Sequence, residues 1–284
     1  MNLLCDEIAR ATARLAEAGF ASPRADAEEL AAEVHGVKRS ELHTVPDSAF
    51  DARFWEGVAR REAGEPLQHI TGRAFFRYLE LAVGPGVFVP RPETEVVAGW
   101  AIDRLRDMDV RDPLVVDLGT GSGAIALSIA QEVPRALVHA VEKDPAAFDW
   151  ARRNAERSDG HVRLHEADIS GALPELNGTV DLVISNPPYI PLEEWEYVPR
   201  DVRDYDPAIA LWGGGDDGLD AIRVVERTAR RLLRPGGLAA VEHSDRQGND
   251  VYWIFGDEAS WRDTRMRRDL TDRDRFVTAR LAGE

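Results

Sequence analysis

From Leu114 onward, short apolar runs alternate with helix-length segments, and this alternation limits the possible folds more than any other feature of the chain. The runs are Leu114 to Leu118, Leu137 to Val141, Val162 to His165, Asp181 to Ser185 and Gly237 to Glu242, with helices between most of them. Parallel neighbours cannot be joined by a tight hairpin; each pair needs a crossover, usually a helix that packs back on the sheet. Strands covered on both faces read as near-continuous apolar runs, as these do. The expectation is an α/β fold, a parallel sheet with helices on both faces. Two later segments, near Met266 to Leu270 and Phe276 to Leu281, read as additional strands.

A chain of 284 residues has room for a second, smaller domain beside that sheet. Its start has a different period. Leu4, Ile8, Ala11, Leu15 and Ala18 recur at helical spacing before Gly19. Ser22-Pro23 reads as an N-cap followed by proline in the first turn of a second helix, which ends near Gly36. A third helix carries Phe54 and Val58 and stops by Gly64 and Pro66. Between residues 73 and 89 the alternation of Leu79, Leu81 and Val83, with Gly84-Pro85-Gly86 as a turn, predicts a short hairpin. Helical spacing returns at Val97, Ala101 and Leu105. The expected division is a helical domain over 1–72, a β-hairpin linker over 73–90 and the α/β domain over 91–284.

Composition narrows the function. With 44% hydrophobic and 30% charged residues the chain is not disordered, and no run approaches the roughly 18 to 20 apolar residues of a membrane span. Asp6 and Glu7 interrupt the N-terminus before the roughly 7 to 15 apolar residues of a signal peptide can accumulate, so a cytoplasmic protein is expected. The single cysteine, Cys5, cannot form an internal disulfide and reads as a packed or idle thiol. A net charge of -16 opposes the phosphate neutralisation on which nucleic-acid binders rely. The Arg-rich stretch from Arg262 to Arg280 is interleaved with Asp263, Asp269, Asp272 and Asp274, which makes it a mixed-charge surface.

Two motifs carry chemistry. In Asp117-Leu118-Gly119-Thr120-Gly121-Ser122-Gly123 a buried strand turns into a helix through three alternate glycines. Glycine lets the backbone approach a ligand, and the helix start offers unpaired amides. The spacing G-x-G-x-G departs from the G-x-G-x-x-G of dinucleotide sites, and no Gly-Lys-Ser or Gly-Lys-Thr follows as in a P-loop. The run resembles the first motif of S-adenosylmethionine-dependent methyltransferases. Glu142, closing the next strand, is placed to accept from both ribose hydroxyls, whereas Asp144 before Pro145 reads as a helix N-cap. Asp168 is a candidate acceptor for an adenine amino group, and Ile169 packs either on the adenine face or in the core.

The second motif is Asn186-Pro187-Pro188-Tyr189, entered straight from the strand Val183-Ile184-Ser185. Adjacent prolines lack amide donors and fix φ, so the carbonyls of Asn186 and Pro187 are held outward. The Asn186 side-chain oxygen and the Pro187 carbonyl can each accept one hydrogen of a planar amino group lying on the Tyr189 ring. Two such acceptors favour pyramidal nitrogen and free its lone pair for in-line attack on a methyl group. Positioning of this kind supplies up to ~7 to 11 kcal/mol. Neither motif calls for a metal.

With these residues in place the whole chain resembles the peptide chain release factor glutamine methyltransferases, the PrmC/HemK family. The resemblance rests on both motifs, on Val89-Pro90-Arg91-Pro92-Glu93-Thr94-Glu95, and on Gln68-His69-Ile70-Thr71-Gly72, Asp206-Pro207-Ala208 and Asp217-Gly218-Leu219. It implies a Rossmann-like class I methyltransferase domain behind a small N-terminal helical domain that docks the protein substrate. The reaction it implies is methylation, by S-adenosyl-L-methionine, of the glutamine amide in the Gly-Gly-Gln motif of bacterial class I release factors. In this family Gly119, Thr120, Gly121, Ser122, Gly123, Glu142, Asp168, Ile169 and Asn186 would contact the cofactor. Asn186, Pro187, Pro188 and Tyr189 would bind the glutamine.

The chain departs from the family twice: Glu142 stands where an aspartate is usual, and Glu242-His243-Ser244-Asp245 replaces a more apolar Glu-Ile-Gly. No catalytic role is carried onto the latter, and His243 reads as structural. Arg91 either faces the cofactor or pairs with Glu93 or Glu95; Trp195 and Trp212 either line the glutamine channel or pack as a lid. The expected protein is a monomer acting on release factors, with no direct nucleic-acid partner and no membrane. Two alternatives stand beside it. A nucleic-acid adenine methyltransferase would use the same acceptors on a flipped base, and a non-catalytic cofactor-binding subunit would keep the fold without turnover.

Overall fold

The computed structural model describes residues 3–46 and 51–283, which fold as two compact units. One takes the residues up to Arg73 together with Pro199–Tyr205; the other takes Ala74–Val198 and the residues from Asp206 onward.

The smaller unit is helical, with α1 (Leu3–Glu17), α2 (Pro23–His35), a 3-10 turn at Arg39–Thr44, α3 (Ala52–Glu62) and α4 (Leu67–Thr71). Its core gathers Leu4, Ala11, Leu15, Ala27, Leu30, Phe54 and Val58; of the stripe that the helical spacing marks on α1, Ile8 packs partly against this core and Ala18, past the helix end, is exposed. Gly36 ends α2 in the left-handed region, as glycine after a last helical turn does. Ser22 holds the N-cap position of α2, yet its side chain makes no capping bond there. Cys5 is exposed on α1, so it is not packed.

The larger unit opens with β1 (Arg73–Phe76) and β2 (Leu79–Ala82), a two-stranded sheet. Its turn is Arg77-Tyr78 and not Gly84-Pro85-Gly86, which forms a separate turn closed by Val87 N–H to Gly84 O. Arg77 sits at φ 52°, a conformation that costs a non-glycine residue roughly 1 to 3 kcal/mol. Its guanidinium grips both oxygens of Glu132 at 2.5 and 2.9 Å, a bidentate bond that offsets this strain. Phe76, Leu81, Val83, Val87 and Val89 share one buried core with Val97, Ala101 and Leu105 of α5 (Thr94–Asp107).

Then come β3 (Leu114–Leu118), α6 (Ala124–Glu132), β4 (Leu137–Glu142), α7 (Pro145–Arg157), β5 (Val162–Glu166) and β6 (Val180–Ser185). After α8 (Arg200–Tyr205), which belongs to the smaller unit, the larger one continues with α9 (Ala208–Leu211), α10 (Asp220–Leu232), β7 (Leu233–Glu242), α11 (Gly248–Ile254), β8 (Trp261–Arg268) and β9 (Asp274–Leu281). Among the described residues they build a seven-stranded sheet in the order β5-β4-β3-β6-β7-β9-β8, parallel up to β7 and antiparallel at β9 and β8. β7 starts before the expected Gly237, and its register against β6 shifts between Val180 and Leu182. β8 ends at Arg268, short of the expected Leu270. Asp269 takes the Thr271 and Arg273 amides on its carboxylate and closes a turn that leaves Leu270 exposed.

Candidate active site

Parallel pairing brings both motifs to one edge of the sheet. The chain runs outward through β3, β4 and β5 and then returns to lay β6 on the other side of β3, so the order reverses there. In open α/β sheets, ligands bind at that reversal, outside the carboxyl ends of the strands. Asp117 pairs with Ile184, and the buried Ser185 hydroxyl donates to the Leu118 carbonyl at 2.6 Å. Such a bond contributes about 1 kcal/mol and holds the exits of β3 and β6 side by side. Leu118 also pairs with Val141, which sets Glu142 beside the glycine loop; Ser185 pairs with Val241, which sets Glu242 beside Asn186.

Gly119, Gly121 and Gly123 all lie in the left-handed region, at φ 74°, 57° and 86°. A methyl group built on Gly119 or Gly121 would meet nothing within 4 Å, so open space lies over the loop; one on Gly123 would press on Leu127. Two glycines therefore leave room for a ligand, and the third lets the loop pack on α6. Thr120 donates its hydroxyl to Asp117 at 2.6 Å, and burial pushes the Asp117 carboxyl up to about 7 despite that bond. The Ser122 carbonyl accepts from Asn154 on α7, whose carboxamide also pairs with both backbone groups of Ala82.

Glu142 is nearly buried, and its carboxylate takes three backbone amides, those of Gly121, Lys143 and Asp144, each at 2.9 Å. The longer side chain thus reaches back to the loop it serves. Asp144 caps α7 through the amides of Ala146 and Ala147, as expected. Asp168 is more open: it accepts from Ser170 N–H, which holds its carboxyl below the ordinary range, and lies 3.9 Å from Lys143. Ile169 packs partly against the core that contains Val116 and Val141. Replacing Glu142 with alanine is expected to weaken S-adenosyl-L-methionine binding by roughly 1.5 to 3 kcal/mol, the range for hydrogen bonds to a charged group. Calorimetry on the folded variant measures it, and an unchanged affinity would remove Glu142 from the site.

The tetrapeptide is held from behind. Half-buried Asn186 directs Nδ2 to the Thr94 hydroxyl at 3.2 Å. The Tyr189 carbonyl accepts from Gln247 Nε2 at 2.8 Å, and Ile190 is fixed by its amide bond to Leu211 O. The Tyr189 hydroxyl lies 3.5 Å from Oε1 of fully buried Glu242. Burial and the Glu242 charge push the phenol up, so it stays protonated, and burial pushes the Glu242 carboxyl up to about 7. His243 is buried with Nδ1 against the Ser244 carbonyl, and burial lowers its proton affinity, a structural arrangement.

Arg91 pairs with neither Glu93 nor Glu95. It reaches Asp206 at 2.5 Å, whose carboxylate also accepts the Val89 amide. Trp195 and Trp212 pack on each other with centroids 4.6 Å apart, beside the bridge between Ile190 and Trp212. Thr94, Glu242 and Gln247 are the groups that sequence reasoning passed over. Glu242 carried a usable signal, since it ends its strand as Glu142 does.

Residues 7–72 match the PrmC N-terminal domain and residues 100–197 the methyltransferase small domain. Over 282 residues, 99% of each chain, the sequence is 66% identical to the release factor glutamine methyltransferase of Streptomyces coelicolor. The chain belongs to the release factor glutamine methyltransferase family. A second relative, the 4-amino-L-phenylalanine/4-methylamino-L-phenylalanine methyltransferase of Streptomyces pristinaespiralis, is 42% identical over 274 residues, 95% of this chain and 92% of that one. A solved methyltransferase from Pyrococcus furiosus shares the fold, with TM-score 0.52 and 22% identity over 72% of this chain and 90% of its own. As a release factor glutamine methyltransferase the chain uses S-adenosyl-L-methionine. The loop fits that group: open space lies over Gly119 and Gly121, with the start of α6 behind them and a carboxylate on the adjoining strand end.

Proposed function

We propose that this protein methylates the side-chain amide of the glutamine in the Gly-Gly-Gln motif of class I release factors, as a cytoplasmic monomer. The observation that carries the reading is the orientation of Asn186: its Nδ2 is taken by Thr94, which leaves Oδ1 to accept an amide hydrogen. Identity of 66% over nearly the whole of a relative of that name supports the substrate.

Gly119 to Gly123 and Glu142 would hold the cofactor, with Asp168 and Ile169 at its base. When bound it supplies an electrophilic methyl group on a sulfonium sulfur. The rest is work for this chain. Asn186 Oδ1 and the Pro187 carbonyl accept the two amide hydrogens and turn the nitrogen lone pair out of conjugation. Pro187 and Pro188 add no competing donors. The Tyr189 ring supports the amide plane. An N-protonated amide is so strong an acid that water suffices to take its proton, so no side chain here has to act as a base. The helical unit docks the protein around the glutamine, a task that needs more surface than a small cofactor does. No helix among the described residues is long and apolar enough to cross a membrane.

The test is incubation with labelled S-adenosyl-L-methionine and full-length release factor, followed by peptide mapping. Label on the Gly-Gly-Gln glutamine is expected. Label on nucleic-acid adenine or on a free aromatic amine instead, or none at all, overturns the assignment. The Tyr189 contribution separates by substitution. At 3.5 Å the hydroxyl bond to Glu242 is long, so Tyr189→Phe is expected to keep the rate within a few-fold. Tyr189→Ala loses a stacking surface worth about 0.5 to 1.5 kcal/mol, up to roughly tenfold in rate. A Phe variant as slow as the Ala variant would sink the stacking role.

A further inference from the structure

Three residues spaced four apart on α7, Ala146, Trp150 and Asn154, share one face of the helix, and the chain from Ala82 to Gly86 lies along it. A Cβ built on Gly86 would lie 3.0 Å from that of Ala146, and one on Gly84 would lie 2.7 Å from the Trp150 ring, so glycine lets the backbone come this close. Trp150 Nε1 donates to the Pro85 carbonyl at 3.2 Å. Asn154 completes the row: its Oδ1 accepts the Ala82 amide at 2.7 Å, and its Nδ2 donates to the Ala82 carbonyl at 3.0 Å.

The same Nδ2 also donates to the Ser122 carbonyl, at 2.9 Å. One buried carboxamide thus ties the end of β2 to the glycine loop. All three bonds hold in this orientation alone, because the reverse would set Oδ1 against two carbonyls. The loop needs such a tie. Gly119, Gly121 and Gly123 are held at positive φ, and glycine loses more conformational freedom on ordering than any other residue. From the side of β4 the loop is fixed through its donors, with the Gly119 and Thr120 amides on the Val141 carbonyl and the Gly121 amide on Glu142. From the side of α7 it is fixed through an acceptor, the Ser122 carbonyl. Ser122 is buried, so without Asn154 that carbonyl has to shift to find another donor, and the space over Gly119 and Gly121 changes with it.

We propose that Asn154 is a positioning residue of the cofactor site, bracing the glycine loop against the β1-β2 hairpin so that S-adenosyl-L-methionine meets a loop already in its binding shape. A loop ordered beforehand binds more tightly because the ligand does not have to order it. The inference rests on the reading of Gly119 to Gly123 as the cofactor loop, not on the identity of the methyl acceptor. The coupling runs in both directions: bound cofactor steadies the loop and, through Asn154, the Ala82 amide.

Calorimetry with S-adenosyl-L-methionine tests this on the full chain, with melting temperature and the single-turnover rate at saturating cofactor recorded for each variant. Asn154→Ala is expected to weaken cofactor binding about tenfold, the effect of one hydrogen bond, and to leave the rate at saturation close to wild type. Asn154→Asp keeps the acceptor for the Ala82 amide but turns an oxygen toward two carbonyls, so it is expected to bind no better than the alanine variant. Trp150→Phe loosens the hairpin without touching the loop and is expected to keep the wild-type affinity. A merely structural role would weaken binding in step with melting temperature, whichever of the two residues is changed. Wild-type affinity in folded Asn154→Ala, or a Trp150→Phe variant that binds as weakly, overturns the proposal. Should the Asn154 variants fail to fold, hydrogen exchange on the wild-type protein decides: saturating cofactor is expected to slow exchange at the Ala82 amide, and an unchanged rate overturns the brace. Unchanged affinity in both Glu142→Ala and Asn154→Ala removes the loop itself as the cofactor site, whereas a weakened Glu142→Ala beside an unchanged Asn154→Ala removes only this inference.

Discussion

Asn186→Ala is expected to slow methyl transfer by about 100-fold or more while cofactor affinity changes little. Asn186 lies just past the end of β6, and with Nδ2 taken by Thr94 its side-chain oxygen is left to accept from an amide. An amide nitrogen attacks only as its lone pair leaves conjugation, so the bond to Oδ1 is stronger in the transition state than in the bound substrate. Loss of one such positioned bond costs ~2.7 to 4 kcal/mol of barrier. The Asn186→Asp variant refines the point. It keeps an acceptor but replaces the Nδ2 donor with an oxygen facing Thr94, so it is expected to fall between wild type and alanine. Single-turnover rates at saturating cofactor isolate the chemical step. A near-normal rate for folded Asn186→Ala would sink amide polarisation as the mechanism.

The parts of this site that the sequence displays are those with local causes. A glycine forced to positive φ, a proline without an amide and an acid closing a strand each act within a few residues, and the glycine loop, the tetrapeptide and Glu142 all belong to that kind. Thr94, Glu242 and Gln247 act only across the sheet. Their partners are 92, 53 and 58 residues away, and nothing local in Ser244 to Gln247 announces a carboxamide bonded to the Tyr189 carbonyl. Glu242-His243-Ser244-Asp245 departs from the Glu-Ile-Gly of the family, so the resemblance carries no role onto the acid. The strand-end position that singled out Glu142 applies equally to Glu242.

The same division explains the fold. Apolar runs placed β3, β4 and β6 within a residue or two because these strands are buried on both faces, but β7 begins early through Pro235-Gly236-Gly237, where local signals predict a turn. At the hairpin the local turn signal is Gly84-Pro85-Gly86, yet the strands are joined through Arg77-Tyr78. The stronger cause was distant: Arg77 is drawn by Glu132, 55 residues on, which no turn rule can see. Ser22 shows the converse, a favourable cap residue whose side chain makes no capping bond.

Arg91 gives the largest expected effect on stability. It stands between Pro90 and Pro92, and the alternatives open to it in sequence were the cofactor or a neighbouring glutamate. Its partner is instead Asp206, whose side chain is wholly buried and which accepts both the guanidinium and the Val89 amide. Arg91→Ala deprives this buried carboxylate of a guanidinium whose own side chain is 26% exposed, so water replaces the cation only in part. Removing one member of a buried pair costs about 3 to 5 kcal/mol, whereas removing both is far milder. Because the guanidinium is partly open to solvent, Arg91→Ala is expected to lower stability by less than that, about 2 to 3 kcal/mol, and Asp206→Asn combined with it to recover part of the loss, a coupling that a double-mutant cycle reads directly. Because the chain has two compact units, a single unfolding transition mixes them. Hydrogen exchange at the amides of β6 and β7 reports the larger unit alone. The Arg91 carbonyl also accepts the Thr94 amide, so the variant is expected to slow methyl transfer as well, by less than Asn186→Ala does. Protection within about 1 kcal/mol of wild type for Arg91→Ala would show that the ion pair does not hold this segment to the sheet.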